Sequence, residues 1–176
     1  MPAGAGVATS GYPSLDEVRG SPGYPSRERM AKGAVAVIEC VQEIPCNPCE
    51  AACPRGAVKV GQPITNLPAL DGEKCIGCGL CLARCPGLAI FLLDMTYSDT
   101  EAALSFPHEY LPLPEPGATV TAVDRAGQPV CRAKVLKVAN PARNDRTPVI
   151  TIAIPKEFAE SVRGIARKSG GGDVGR

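Results

Sequence analysis

The apolar positions of this chain fall in short runs separated by turn residues. Residues 34–39 read AVAVIE, an unbroken β-branched-rich run that predicts a strand. Residues 118–123 and 129–138 flank the turn sequence DRAGQ at 124–128, a hairpin signal, and residues 147–154 form a third strand candidate. Residues 155–168 read as a short terminal helix. Residues 1–32 are rich in Gly, Pro and Ser. Only residues 13–19 suggest a helix there, with Ser14 as N-cap. The segment is expected to be an extended arm ordered against a partner. Residues 101–117 contain Pro107, Pro112, Pro114 and Pro116 and are expected to form a semi-rigid linker.

Between them lies an internal repeat. With an offset of 32 residues, Cys46, Cys49, Cys53 and Pro54 fall on Cys78, Cys81, Cys85 and Pro86. Ala57, Val58 and Val60 fall on Ala89, Ile90 and Leu92. Each half reads as a cysteine loop, a helical turn, a proline break and a short strand.

Composition narrows the classes. A net charge of +1 over 176 residues gives no global field for nucleic acid or an anionic membrane. Residues 33–100 carry four Lys/Arg against seven Asp/Glu, and residues 101–176 eleven against eight; the basic tail reads as a solvated face. No apolar stretch reaches the length of a membrane span, and the N-terminus has no secretory pattern, so a cytoplasmic protein is expected. Aromatic residues make up only 4% and Trp is absent, so bound metal is expected to supply part of the folding energy.

Nine cysteines carry the chemistry. Cys75, Cys78, Cys81 and Cys85, followed by Pro86, read CIGCGLCLARCP, the compact spacing that holds cubane iron–sulfur clusters. Gly77 and Gly79 let the backbone wrap closely around such a group. Zinc sites separate their cysteine pairs by longer loops, which argues against two structural zincs. Neither run supplies the C-x3-C-x2-C of radical-SAM chemistry. No dinucleotide fingerprint is present, His108 reads as a loop histidine, and no catalytic residue is expected.

Residues 33–100 resemble bacterial-type 2[4Fe–4S] ferredoxins. The stretches IECVQEIPCNPCEAACPRGAV, CIGCGLCLARCPGLAIFLLD and NDRTPVITIAIPKE also look like the iron–sulfur subunit of multisubunit FAD-dependent amino- or imino-acid dehydrogenases of the proline, hydroxyproline and opine type. The resemblance implies an α+β dicluster domain at 33–100, between the arm (1–32) and the linker (101–117). A β-rich extension with a short terminal helix (118–176) follows. It implies one-electron transfer through two [4Fe–4S] clusters, with FAD on partner flavoprotein subunits and a hetero-oligomer as the working form. A free soluble ferredoxin is the alternative.

In two-cluster proteins the last cysteine of each run ligates the other cluster. That assigns Cys75, Cys78, Cys81 and Cys53 to cluster II, and Cys46, Cys49 and Cys85 to cluster I. The offset puts Glu43 where the fourth cluster I ligand belongs. Cys40 is the first candidate for that place, a three-iron cluster the second, and Glu43 as an oxygen ligand the third. Cys131 is left without a role.

Overall fold

The computed structural model describes residues 6–167; residues 1–5 of the expected arm and 168–176 of the expected extension lie outside it. Among the described residues nine strands form: β1 (Val35–Ile38), β2 (Val58–Lys59), β3 (Ala69–Leu70), β4 (Ile90–Asp94), β5 (Glu101–Pro107), β6 (Thr119–Val123), β7 (Pro129–Ala139), β8 (Val149–Pro155) and β9 (Gly164–Ile165). Seven make one antiparallel sheet in the order β1-β4-β5-β8-β7-β6-β9, and β2 pairs with β3 in a separate ribbon. The protein is therefore mostly antiparallel sheet. Its α-helices are short: Val7–Ser10, Leu15–Arg19, Arg27–Met30 and Pro48–Ala51.

The unbroken apolar run of β1 has a direct cause. All four of its residues are buried, because both faces are covered. Val35 and Val37, with Phe91 and Leu93 of β4, face a large core completed by Leu104, Phe106, Ile150, Ile152 and Ile154. Ala36 and Ile38, with Ile90, face a second core that holds Val58, Val60, Leu82, Cys49 and Cys81. A period-2 strand covered on both sides has no position for a polar residue. The β1–β4 pair is thus the wall shared by the large sheet and the cysteine loops.

Several expectations change. Residues 101–107 are not linker but β5, which pairs with β4 on one side and β8 on the other. Ala102, Leu104 and Phe106 alternate into the large core, and Pro107 occupies the last position of the strand. The irregular proline-rich stretch is confined to residues 108–118. As far as residue 167 the terminal helix is absent: residues 156–158 make one 3-10 turn, and Gly164–Ile165 then pairs with β6. Sheet pairing overrides helical propensity there, since Arg163 N donates to Val123 O and Ala166 N to Thr121 O.

The described part of the arm lies on its own chain. Ser14 caps Leu15–Arg19 as expected, its side chain accepting from Glu17 N. Val18 and Met30 are buried. Glu160 accepts from the Arg19 guanidinium (2.5 Å) and from the Tyr24 hydroxyl (2.8 Å).

Candidate metal centre

Eight of the nine cysteines line two small cavities. Cys40, Cys46, Cys49 and Cys85 line one of about 30 Å³, together with Ile38, Pro68 and Ile90. Cys53, Cys75, Cys78 and Cys81 line the other, about 20 Å³, with Ala36, Val58 and Leu92. Each cavity takes three thiols from one run and the last thiol of the other run. Glu43 is exposed and belongs to neither lining, whereas Cys40 does. Cys131 lies on β7, away from both, and all nine cysteines are free.

The repeat extends to the backbone. Ala57 N donates to Cys53 Sγ (3.2 Å), and 32 residues on Ala89 N donates to Cys85 Sγ (3.4 Å). Gly56 has φ +59° and its counterpart Leu88 φ +52°. The left-handed residue turns the chain so that the following N–H reaches the sulfur. The two loops differ at Gly77 (φ +67°), where a Cβ would lie 2.6 Å from the Ala34 carbonyl oxygen. The second loop therefore passes against the start of β1 where only glycine fits.

Side chains absent from the sequence reading fix these loops. Arg29 donates to the carbonyls of Gly72 (2.7 Å), Gly33 (3.1 Å), Ala34 (3.0 Å) and Cys75 (2.7 Å), fastening the second loop to the arm and β1. Glu50, in the helix that carries Cys49, accepts from Val60 N (2.9 Å) and Gly61 N (3.0 Å) at the end of β2. Neither shows a sequence motif, since each bonds backbone remote along the chain.

The thiols resist ionisation. Burial first, then the neighbouring Cys85, pushes Cys49 up to about 11. Burial, then Cys75 and Cys78, pushes Cys81 up to about 12. Burial also raises Cys40. Cys53 is the exception: burial raises it, but the N–H groups of Val58, Arg55, Ala57 and Gly56 outweigh that and lower it. Four soft sulfur donors in an apolar lining become thiolates only where positive metal charge is brought in with them, as iron–sulfur binding requires. The cavities are far below the 300–1,000 Å³ of organic-ligand sites. Among the described residues, no three His, Cys, Asp or Glu side chains close on a single ion.

Over residues 68–91, which span the second cysteine run, the chain matches the family described as 4Fe-4S binding domain. It is similar to one subunit of the ion-translocating oxidoreductase complex of Methanosarcina acetivorans, 44% identical over 59 residues, 34% of this chain and 20% of that protein. Protein Pixie of Drosophila melanogaster is 29% identical over 120 residues, 57% of this chain and 19% of its own. The aliphatic sulfonate oxidoreductase, polyferredoxin-like subunit of Pyrococcus furiosus is 46% identical over 48 residues, 27% of either chain. The chain spans about a fifth of the length of the first two relatives. No solved structure matches it. Among the described residues, no helix is long and apolar enough to cross a membrane. The chain carries a ferredoxin-type 4Fe–4S domain centred on its second cysteine run.

Proposed function

We propose that this protein transfers single electrons through two [4Fe–4S] clusters as the iron–sulfur unit of an oxidoreductase complex. The observation that carries the reading is the sorting of eight thiols into two four-cysteine cavities, with the last cysteine of each run exchanged. Cys40, Cys46, Cys49 and Cys85 would hold cluster I, and Cys53, Cys75, Cys78 and Cys81 cluster II. Each cluster, when bound, supplies a one-electron redox site. The protein's part is to fix the thiolates, exclude water with Ile38, Ile90, Val58 and Leu92, and donate backbone N–H groups to sulfur. Single-ion convergence of three donors is lacking among the described residues, which favours cubanes over zinc. Thiolates on one zinc sit about 3.8 Å apart, given a Zn–S bond of about 2.3 Å, and those around a cube sit wider.

Two relatives are named as subunits of oxidoreductases, which supports a role inside a complex. The resemblance to FAD-dependent amino- or imino-acid dehydrogenases makes flavoprotein subunits the proposed partners. We assign the protein to the cytoplasm, where nine free thiols stay reduced. Anaerobic purification with iron, sulfide and zinc assays tests the cofactor. About eight irons and eight sulfides per chain are expected; two zincs without sulfide would sink it. Co-purification of a flavoprotein tests the partner, and a lone flavin-free monomer would favour a free ferredoxin.

A further inference from the structure

A cleft of about 490 Å³ lies on the far side of the β1–β4 wall's end, distinct from both cysteine cavities. The protein has four Tyr, three Phe and one His in all. Tyr12, Tyr110, Phe91, Phe106 and His108 line this one cleft. His108 stacks edge-on between Phe106 (6.3 Å between centroids) and Tyr110 (5.6 Å). A chain so poor in aromatic residues has gathered most of them around one opening. Aromatic walls select a flat ligand that can stack.

The polar side of the cleft is Arg163. Its side chain is 4% exposed. Its Nε donates to Glu39 Oε1 (2.6 Å) and its Nη1 to Ala159 O (2.8 Å). Its Nη2 is buried and has no partner among the described residues. An orphaned guanidinium N–H in a cleft calls for an acceptor oxygen on the ligand. The charge balance decides which kind. Arg125 and Arg163 face Glu39, Asp124 and Glu109 in the same lining, an excess of acid. Glu39 is consumed by both arginines, and Asp124 Oδ1 by the N–H groups of Ala126 and Gln128. A phosphate or carboxylate would meet net repulsion, whereas a neutral ring carbonyl fits the single free donor.

Position adds the last constraint. The cleft wall includes Gly87, Leu88 and Ala89. Ala89 N donates to Cys85 Sγ (3.4 Å), and Ala89 O accepts from Glu39 N (2.8 Å). One hydrogen bond thus separates the cleft wall from a thiol of the four-cysteine cavity that holds Cys40. We propose that this cleft binds the planar, carbonyl-bearing ring of a redox-active molecule of the isoalloxazine or quinone class, stacked on Tyr12 and Tyr110, with its carbonyl oxygen on Arg163 Nη2. The redox class rests on the reading of Cys85 as a cluster ligand; the ring and its acceptor oxygen rest on the cleft alone.

Binding is measured on the anaerobically purified full chain, whose iron content is determined in the same sample. Lumiflavin is followed by fluorescence quenching, and 1,4-naphthoquinone and benzoate by calorimetry. Saturable binding of lumiflavin identifies the isoalloxazine source and of naphthoquinone the quinone source. Binding of both supports the shared ring chemistry. Tyr12→Ala and Tyr110→Ala, which lie outside the buried ion cluster, are expected to weaken binding about tenfold by lost stacking. Arg163→Lys keeps the charge beside Glu39 but removes Nη2, and is expected to weaken the carbonyl ligands at least as much. No binding of either ring at millimolar concentration overturns the proposal, as does tighter binding of benzoate or binding indifferent to both tyrosine changes. Iron-loaded protein that binds no ring removes the cleft proposal alone. Ring binding by a chain without iron or sulfide removes the cluster reading alone.

Discussion

Arg163 Nε donates to Glu39 Oε1 over 2.6 Å, and this contact joins the end of β1 to the segment entering β9, the two outermost strands of the seven-stranded sheet. Arg125, from the β6–β7 turn, adds a second bond to the same oxygen (2.5 Å) and one to Glu39 Oε2 (2.8 Å). The sheet is thereby curled, its two edges pinned by one buried carboxylate. Glu39→Ala is expected to leave both guanidinium groups without their counter-charge, at a cost of about 3–5 kcal/mol. Against a total stability of about 5–15 kcal/mol, that brings the protein close to unfolding. Glu39→Gln keeps an acceptor and is expected to lose less. Denaturant midpoints of the two variants test the ordering; equal midpoints would show that the cluster does not hold the edges.

Arg29 couples the arm to the second cysteine loop through four carbonyls, Cys75 among them. Removing it strips charged hydrogen bonds worth about 1.5–3 kcal/mol each from a loop that must hold three thiols in place. Arg29→Ala is expected to lose about four of eight irons on dilution, from the cluster held by Cys75, Cys78 and Cys81, with the other retained. Iron assay and EPR on the same sample read this out. Full iron retention would reduce Arg29 to a surface contact.

Gly77 and Gly56 both sit in the left-handed region, yet they predict different outcomes. At Gly56 no atom lies within 4 Å of an added Cβ, so Gly56→Ala is expected to cost only the backbone term, about 1–2 kcal/mol. At Gly77 the same Cβ meets the Ala34 carbonyl oxygen at 2.6 Å, and backbone must move. Gly77→Ala is therefore expected to cost clearly more and to disturb the Cys75–Cys78–Cys81 loop. Thermal midpoints compared between the two variants decide it.

What was legible in the sequence followed from local chemistry. The cysteine spacing, the apolar run of β1, the Ser14 cap and the DRAGQ turn each act within a few residues, and each appears in the structure. The failures have a common cause in contacts distant along the chain. Pro107, Pro112, Pro114 and Pro116 dominated the reading of residues 101–117, although Ala102, Leu104 and Phe106 alternate as a strand must. The 156–165 segment has helical composition, but pairing with β6 decides its state. Glu39 and Arg163 are 124 residues apart, and no local pattern marks such a pair. One signal was available and unused: the 32-residue offset that aligns the cysteines also aligns Leu88 with Gly56, and hence marks Leu88 as left-handed.

The exchange of last cysteines makes the sharpest prediction. Cys53 follows Cys46 and Cys49 in sequence but shares its cavity with Cys75, Cys78 and Cys81; Cys85 follows those three but shares its cavity with Cys40, Cys46 and Cys49. Cys53→Ala is therefore expected to damage the cluster of the second run, and Cys85→Ala that of the first. The proximity is electrostatic as well as geometric, since Cys85 is the neighbouring thiol that most raises Cys49, and Cys53 contributes to raising Cys81. Cys40→Ser is expected to convert or destroy the first cluster, because Cys40 lines its cavity and exposed Glu43 does not. Glu43→Gln is expected to leave four irons there. EPR of the reduced variants, with iron and sulfide assays, distinguishes the centres. Damage confined to the cluster of the mutated run would refute the exchange. A normal first cluster in Cys40→Ser, together with its loss in Glu43→Gln, would transfer the fourth ligand to the carboxylate.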